Sequence, residues 1–236
     1  MNLHLIRHGQ AGTRLDYDTL SSVGRHQASL LGKYLHQSGA AFTSMIAGGL
    51  KRQQETASLA SAELAAPPVL ATHTGWNEFD LDGVYQGIAP KLAAHSADFR
   101  KHWEAVQAAV ERHGADEHSV VNRRWSPADE MVVRAWVEGR FTYDGESWVE
   151  FKQRIRNTLL RTLDEAHLEA AIFTSATPTA IAVGEALGLN EAGIFRLAAT
   201  VMNSSFSELR WRNGRLRLFS FNNAPHLLES AMRTHR

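Results

Sequence analysis

The chain of 236 residues contains no cysteine, and its 25 Lys and Arg balance its 25 Asp and Glu to a formal net charge of zero. The absence of cysteine excludes disulfides, thiolate metal sites and a cysteine nucleophile, and the balanced charge argues against a nucleic-acid binder while leaving room for a local anion site. The N-terminus has no signal-peptide pattern and no apolar run approaches the roughly 20 residues that span a bilayer, so we expect a globular, cytoplasmic protein with no membrane partner.

The first predicted elements are a short strand and a helix. Residues 2–6 (NLHLI) form a mostly apolar run that leads into a turn at 7–9 (RHG). After a polar loop, the segment 20–22 (LSS) offers a helix N-cap, and apolar residues at helical spacing predict a helix over 23–37.

The next segment repeats this order. Residues 41–47 (AFTSMIA) predict a second strand, which two glycines end, and a helix begins near Leu50 with small and apolar residues at helical spacing. A pair of prolines breaks the pattern, and 69–73 (VLATH) predicts a short third strand.

The middle of the chain departs from the alternation of strands and helices. From about 84 to 145 the apolar residues recur at helical spacing, which predicts a helical insertion laid over the main sheet rather than another strand–helix unit. A further helix is predicted over 146–166, where aromatic and aliphatic residues again share one face.

The last third of the chain returns to strands. Residues 170–175 (AAIFTS) predict a buried strand, and Pro178 suits the first turn of a helix that reaches Leu187. The segment 205–222 alternates around an Asn-Gly pair at 213–214, which is typical of a hairpin. Strands that alternate with helices predict an α/β fold whose parallel-rich sheet has helices on both faces and an antiparallel finish.

Four side chains that could take part in catalysis are predicted to meet where these strands end. In an open α/β sheet, functional groups gather beyond the carboxyl ends of the strands. Arg7 and His8 follow the first strand, and Arg52 follows the second, directly after Lys51. Glu78 lies in a loop that could reach the same rim.

Together these groups could transfer a phosphoryl group. A neutral histidine is a nucleophile at one ring nitrogen when a hydrogen bond holds the other. Two arginines suit phosphate oxygens, and a carboxylic acid can protonate a leaving alkoxide and later deprotonate a water. Gly9 would let the backbone approach an anion closely. The scheme requires no metal and no other cofactor.

Several segments of the sequence also resemble motifs of one protein family. They are 5–10 (LIRHGQ), 20–28 (LSSVGRHQA), 49–57 (GLKRQQETA) and 222–227 (NNAPHL). In this order and spacing they resemble the histidine phosphatase superfamily, the phosphoglycerate-mutase-like proteins. The resemblance implies a single domain over 1–236, an α/β three-layer sandwich with a mostly parallel central sheet and helices on both faces. Residues 84–145, which the motifs leave uncovered, would be its helical cap.

The resemblance implies a role for each of the four side chains. His8 would become phosphorylated, and Arg7 and Arg52 would clamp the phosphoryl oxygens. Glu78 would donate and accept the proton. No metal would take part.

Further residues would surround this centre. Two aspartates, Asp80 and Asp82, lie close enough to compete with Glu78 for its role. Arg14 either extends the basic pocket or is a surface arginine. The residues that we predict to bind phosphate beside the arginines are Gly9, Gln10, Ser175 and Thr177.

The sequence departs from the family pattern at one position. The family places a second histidine after the late strand, in a Ser-His-Gly context, and this chain has Ser175-Ala176-Thr177 there. Loss of one preorganised donor costs on the order of 10²–10³ in rate in comparable oxyanion sites. The hydroxyls of Ser175 and Thr177, the backbone N–H groups of a helix that starts near Pro178, or the side chain of His226 could compensate.

Three functions follow as hypotheses. The leading one is a metal-independent phosphomonoester phosphatase that acts through a phosphohistidine at His8, on a phosphorylated small molecule or a phosphoprotein. A catalytically impaired phosphate-binding or regulatory protein, or an engineered inactive variant, would account for Ala176. A phosphomutase would have to exclude water from the phosphoenzyme, and no sequence feature guarantees that. The oligomeric state stays open.

Overall fold

A single mixed sheet forms the centre of the structure. The computed structural model describes residues 1–123, 125–165 and 168–235. The strands in these residues are β1 (Asn2–Arg7), β2 (Ser44–Ala47), β3 (Leu70–Thr72), β4 (Glu169–Thr174), β5 (Phe206–Arg212) and β6 (Arg215–Asn223). They lie in the order β3-β2-β4-β1-β5-β6. Strands β1 to β4 pair in parallel, and β5 and β6 complete the sheet in antiparallel pairings.

Helices connect the parallel strands and cover the sheet. The α-helices in the described part of the chain are α1 (Ser22–Gln37), α2 (Lys51–Ser61), α3 (Leu81–His95), α4 (Ala97–His113), α5 (Val120–Arg123), α6 (Pro127–Val137), α7 (Trp148–Glu165), α8 (Ala176–Leu187) and α9 (Glu191–Ala198). None of the helices in that part of the chain is both long and apolar enough to cross a membrane.

Alternating side chains of β1 build a core on each face of the sheet, because successive residues of a strand point to opposite faces. Leu3 and Leu5 belong to one apolar cluster with residues of α3, α6, α7 and α8, among them Phe151. Ile6 belongs to the other cluster, with Leu31 of α1 and residues of α2. The two clusters make three layers, helix, sheet and helix, so the predicted α/β sandwich with a mostly parallel sheet is confirmed.

The strand predictions differ from the structure mainly at the ends. The predicted strand at 41–47 is too long, because β2 first pairs with β4 at Ser44. The first strand is one residue longer than predicted and includes Arg7. At the predicted hairpin, Asn213 and Gly214 have φ angles of 53° and 71°, the left-handed values that a tight two-residue turn between twisted strands requires.

The helix predictions differ in two places. The helical stretch predicted from 84 begins earlier, at Leu81, where the Asp80 side chain accepts the N–H of Gly83 and caps α3. Sequence analysis made no prediction for α9, which has only two turns. Residue 124 of the predicted insertion and residue 166 of the helix predicted over 146–166 lie outside the described residues.

Helices α3 to α6 pack on one another and reach the rest of the fold through aromatic rings. The ring of Trp136 in α6 lies 4.6 Å from that of Phe79 and 5.8 Å from that of Phe151 in α7, between centroids. These helices therefore share a core with the sheet. The assignment of 84–145 as a cap within one domain stays a prediction.

Three neighbouring parallel strands end at a common edge. Arg7 at the end of β1 pairs with Thr174 at the end of β4, and Ala47 at the end of β2 pairs with Phe173. The segments that follow these strands leave the sheet side by side, as expected for a site at the carboxyl edge of an α/β sheet.

Candidate active site

A cavity of about 1760 Å³ opens where these segments meet. Its wall includes Arg7, His8, Arg52 and Glu78, which come from three separate segments of the chain. The structure therefore brings together the four side chains to which the sequence assigns chemistry. Helices α5, α6 and α9 contribute residues farther along the same wall.

His8 is held as a neutral ring with one nitrogen directed at an arginine. Its Nδ1 lies 2.6 Å from the carbonyl oxygen of Gly9, and because a carbonyl only accepts, Nδ1 carries the proton. Nε2 then has a lone pair, which accepts Nε–H of Arg52 at 3.3 Å. Burial, and then the charges of Arg52 and Arg7, lower the pKa of His8 well below its usual 6.5. The ring is therefore neutral at neutral pH, with its proton on Nδ1 and its lone pair on Nε2.

Arg52 lies in the first turn of α2, and its guanidinium is fixed from three sides. Besides His8, it contacts the carboxylate of Asp18, with Nη1 2.8 Å from Oδ1, and its carbon lies 4.9 Å from the centre of the Tyr17 ring. The side chain is buried. The helix is tied to the turn after β1, because Thr56 Oγ1 accepts the N–H of Gly9. This tie places Arg52 against His8.

Arg7, the last residue of β1, is a buried cation whose hydrogen bonds within the described part of the chain go to carbonyl groups. Its Nη1 donates to the carbonyl oxygens of Val201 and His235, and its Nε has no hydrogen-bond partner among the described residues. Burial lowers the pKa of Arg7 to about 10, so it stays charged at neutral pH. A buried guanidinium whose partners are uncharged favours an anion beside it.

Glu78 accepts two backbone N–H groups. Its Oε1 accepts from Phe79 and its Oε2 from Thr177, each at 3.1 Å. Burial raises the pKa of Glu78, although these hydrogen bonds and the charge of Arg52 oppose the shift. A carboxyl group with a raised pKa in the same cavity as the nucleophile suits a general acid. Asp80 and Asp82 also line this cavity, but Asp80 is exposed and caps α3, and Asp82 lies in the first turn of that helix.

The structure places Gly9 and Gln10 in backbone packing instead of on the cavity wall. A Cβ atom on Gly9 would lie 2.3 Å from the carbonyl oxygen of Gly24, so two motif glycines allow the turn after β1 to touch α1. The N–H of Gln10 donates to Gln27 Oε1 at 2.7 Å, and its own Oε1 accepts from Ser21 Oγ. The close approach of β1 and α1 accounts for these two residues in the motif, and phosphate binding by Gly9 and Gln10 stays a prediction.

Residues at the start of α8 already form hydrogen bonds with other groups of the protein. Ser175 Oγ accepts from Gln53 Nε2 at 2.9 Å, and the N–H of Thr177 is taken by Glu78. Ala176 and Thr177 line the cavity, whereas Ser175 is buried. Two of the groups expected to compensate for the missing second histidine thus already have partners, one of which is Glu78 itself.

The other proposed donor, His226, lies elsewhere. Its Nε2 is 2.8 Å from Ser204 Oγ, and its ring packs against Tyr34. Burial lowers its pKa to about 4, so the ring is neutral. The described wall of the cavity does not include it, and compensation by His226 is not supported.

Arg14 is neither a surface residue nor a free cation. It forms a two-point ion pair with the buried carboxylate of Asp129 in α6, with Nη1 2.9 Å from Oδ1. Its Nε donates to the carbonyl of Val121 and its N–H to Asn122 Oδ1. Arg14 also lines the cavity. It therefore anchors the loop after β1 to the helices beyond it.

Sequence reasoning missed three residues that line the cavity or fix its wall, namely Asp18, Asp129 and His235. Asp18 lies just before the second motif. Its position, a carboxylate one turn before the N-cap Ser21 of α1, is the sequence pattern that could have identified it. Asp129 could be found as the third residue after the N-cap Ser126, where it completes a capping box. His235 has no pattern that distinguishes it.

Within residues 1–123, 125–165 and 168–235, no three His, Asp or Glu side chains form a group that could hold a metal ion. Metal independence stays a prediction about the reaction.

The sequence matches the model of one protein family over most of its length. The family is described as the histidine phosphatase superfamily, branch 1, and the match covers residues 3–139 and 129–224.

A shorter segment matches curated relatives. Over 58 residues the chain is 43% identical to the mitochondrial serine/threonine-protein phosphatase Pgam5 of Caenorhabditis briggsae, and equally to that of Caenorhabditis elegans. The matched segment is 25% of this chain and spans only 20% of the length of each relative.

Solved structures share the fold over nearly the whole chain. The alpha-ribazole phosphatase of Shigella flexneri superposes with a TM-score of 0.59 at 16% identity, covering 95% of this chain and 97% of that one. A mycobacterial glucosyl-3-phosphoglycerate phosphatase gives a TM-score of 0.58 at 21% identity, covering 94% and 99%. At these identities the likeness is one of fold.

Proposed function

The chain belongs to the histidine phosphatase superfamily, and we propose that it is a metal-independent phosphomonoester phosphatase that works through a phosphohistidine at His8. The observation that carries the proposal is the state of His8. Its proton is fixed on Nδ1 by Gly9, its Nε2 lone pair points at Arg52, and its lowered pKa keeps it neutral. A loop histidine with only a structural role would not need a fixed tautomer, a lone pair directed at an arginine and a lowered pKa in the wall of a cavity.

The first step forms a bond from His8 Nε2 to phosphorus and breaks the bond from phosphorus to the ester oxygen. Arg52 Nε–H leaves the lone pair and turns to a phosphoryl oxygen, and Arg7 supplies the second charge. Glu78, whose pKa burial raises, gives a proton from its acid form to the departing oxygen. The negative charge that develops is held by groups already in place, which is the main requirement of phosphoryl transfer.

The second step returns the enzyme to its starting state. Ionised Glu78 takes a proton from a water molecule, whose oxygen attacks phosphorus while the bond from phosphorus to Nε2 breaks. Inorganic phosphate leaves, and His8 recovers its neutral tautomer. The cavity is open to water and large enough for a phosphorylated small molecule or a phosphorylated side chain of a protein. We propose these two substrate classes, and a cytoplasmic location, on the sequence grounds given above.

One observation favours a second function. Ala176 presents only a methyl group where the family has an imidazole, and the adjacent Thr177 N–H is taken by Glu78. A protein that binds phosphate compounds without turnover would fit this arrangement. Binding would then depend on Arg7 and Arg52 but not on the nucleophilicity of His8.

Turnover of p-nitrophenyl phosphate in the presence of a chelator separates the two. We expect hydrolysis by the unaltered chain, loss with His8→Ala, and retention with His226→Ala, the same change at another buried neutral histidine, which does not line the described cavity. Each variant is checked by thermal unfolding. Silence of all three proteins, together with phosphate binding that survives His8→Ala, would instead support the binding protein, and phosphoryl transfer to an added acceptor without phosphate release would indicate a mutase.

A further inference from the structure

Asp18 forms an ion pair with Arg52, whose guanidinium group the proposed reaction needs for binding phosphate. Its Oδ1 forms an ion pair with Arg52 Nη1 at 2.8 Å, and its Oδ2 accepts the backbone N–H of Lys51 at 3.2 Å, at the first residue of α2. Both Asp18 and Arg52 line the cavity that holds His8. A carboxylate thus bridges two donors that would otherwise be available to a phosphoryl group.

The carboxylate is held there by a closed loop. The backbone N–H of Gly12 donates to the carbonyl of Thr19 at 2.8 Å, and Ala11 and Leu20 pair as an antiparallel bridge. At its start the loop is anchored through Arg14 to Asp129 in α6. The position of Asp18 is therefore a property of the folded loop, and its carboxylate does not reach Arg52 by chance.

The two partners differ in their freedom to separate. The side chain of Arg52 is 6% exposed and also bonded to His8, whereas that of Asp18 is 41% exposed. The more exposed Asp18 carboxylate can exchange Arg52 for water, whereas the buried Arg52 guanidinium has little access to solvent. The negative charge of Asp18 would repel a phosphate dianion that binds beside Arg52. The dianion would then either displace the Asp18 carboxylate or bind against this repulsion.

We propose that Asp18 is an internal competitor for the phosphoryl group at Arg52, which weakens the binding of phosphate and so promotes release of the inorganic product. The proposal rests on the proposed function, since it takes Arg52 as a phosphate ligand. It assigns to the loop at 12–19 a control over phosphate affinity, in addition to its part in the cavity wall.

Titration calorimetry with inorganic phosphate tests this without depending on turnover. We expect Asp18→Asn to bind phosphate roughly fivefold tighter or more than the unaltered chain, the ratio that removal of one close like-charge contact near a surface produces. Asp18→Ser should show the same gain in phosphate affinity. This second variant checks that the gain comes from loss of the carboxylate and not from the asparagine side chain. The matched control is Asp16→Asn, which removes a carboxylate of the same loop and the same cavity that contacts Thr19 and not Arg52.

Each outcome decides the matter. Equal or weaker phosphate binding by both Asp18 variants would overturn the proposal, since it would make Asp18 neutral or a helper that orders Arg52. An equal gain from Asp16→Asn would also overturn it, by showing a general effect of charge. If none of the proteins binds phosphate, the anion site and the proposed function fail together, whereas binding by the unaltered chain without a gain in the Asp18 variants defeats this inference alone.

Discussion

The carboxylate of Glu78 accepts the backbone N–H of Thr177 at 3.1 Å, which joins the proposed general acid to the first turn of α8. The turn that carries Ala176 therefore positions the acid, although it supplies no imidazole. The raised pKa of Glu78 arises from burial against the opposing effect of this bond. The position of α8 and the protonation of Glu78 are thus linked.

The first prediction concerns the substitution Glu78→Gln. Hydrolysis of an alkyl phosphate should fall about 10²–10⁴-fold, because a poor leaving group needs the proton that Glu78 supplies. Hydrolysis of p-nitrophenyl phosphate should fall much less, since nitrophenolate leaves without a proton. In the unaltered chain, alkyl phosphate turnover should decrease as pH rises through the raised pKa of Glu78, and the variant should lack this dependence. An equal loss for both substrates would argue against the acid role.

A second prediction concerns Ala176. Replacement by histidine should raise kcat, by up to the roughly 10²–10³ that one oxyanion donor contributes. Ala176→Leu is the control, because it fills similar space without a donor and should give no gain. Steady-state kinetics on both variants decide this. If histidine and leucine lower kcat alike, the site has adapted to a small residue and the expectation is wrong.

The ion pair of Arg14 with Asp129 should contribute to folding stability. Replacing either partner alone should cost about 3 kcal/mol of the free energy of unfolding, because the other charge is left buried. The double replacement Arg14→Met with Asp129→Leu should cost less than the sum of the single ones. Denaturant unfolding of the four proteins gives the coupling. Strictly additive costs would mean that the contact contributes little.

The same pair sets a pH dependence. Burial alone would raise the pKa of Asp129, but the hydrogen bonds and charge of Arg14 outweigh it, and the pKa lies below its usual 3.8. The folded pKa is below the unfolded one, so the stabilisation is present above about pH 4 and is lost as pH falls through the folded value. Asp129→Asn should be less stable at neutral pH and should lose less stability on acidification. An acid dependence identical to that of the unaltered chain would contradict this.

Gly24 provides a test of the contact between β1 and α1. In a helix interior, alanine is about 1 kcal/mol better than glycine, but a Cβ on Gly24 would lie 2.1 Å from the carbonyl oxygen of Gln10. Gly24→Ala should therefore lower stability by about 1–3 kcal/mol and reduce activity, because the displaced turn carries His8. Gly193→Ala in α9 meets nothing closer than 3.2 Å and should change stability by less than about 1 kcal/mol. Thermal and denaturant unfolding compare the two.

The sequence was sufficient to predict where the reactive groups meet. Arg7 and His8 follow one strand and Arg52 another, and adjacent parallel strands bring such residues to one edge without any knowledge of side-chain contacts. The loop of Glu78 placed it near this edge, but its assignment as proton donor came from the family resemblance, since the loop has no local pattern that identifies a proton donor. The short helix α9 was missed because two turns carry too little periodicity.

What the sequence could not predict are pairings between distant segments. Arg14 and Asp129 are 115 positions apart, and Asp18 reaches Arg52 only because the loop at 12–19 closes on itself. The close approach of Gly9 to the backbone of Gly24 was likewise not predicted. Each of these depends on how separate elements pack, which motif spacing does not encode.

The account depends most directly on a covalent phosphoryl group at His8. Rapid mixing with p-nitrophenyl phosphate, quenching in alkali and mass spectrometry of the peptides would detect it, because phosphohistidine survives base and is lost in acid. We expect the phosphoryl group on the peptide that contains His8, and its absence in His8→Ala. Steady turnover by a chain that never carries phosphate on His8, even when quenched within the first turnover, would contradict the account.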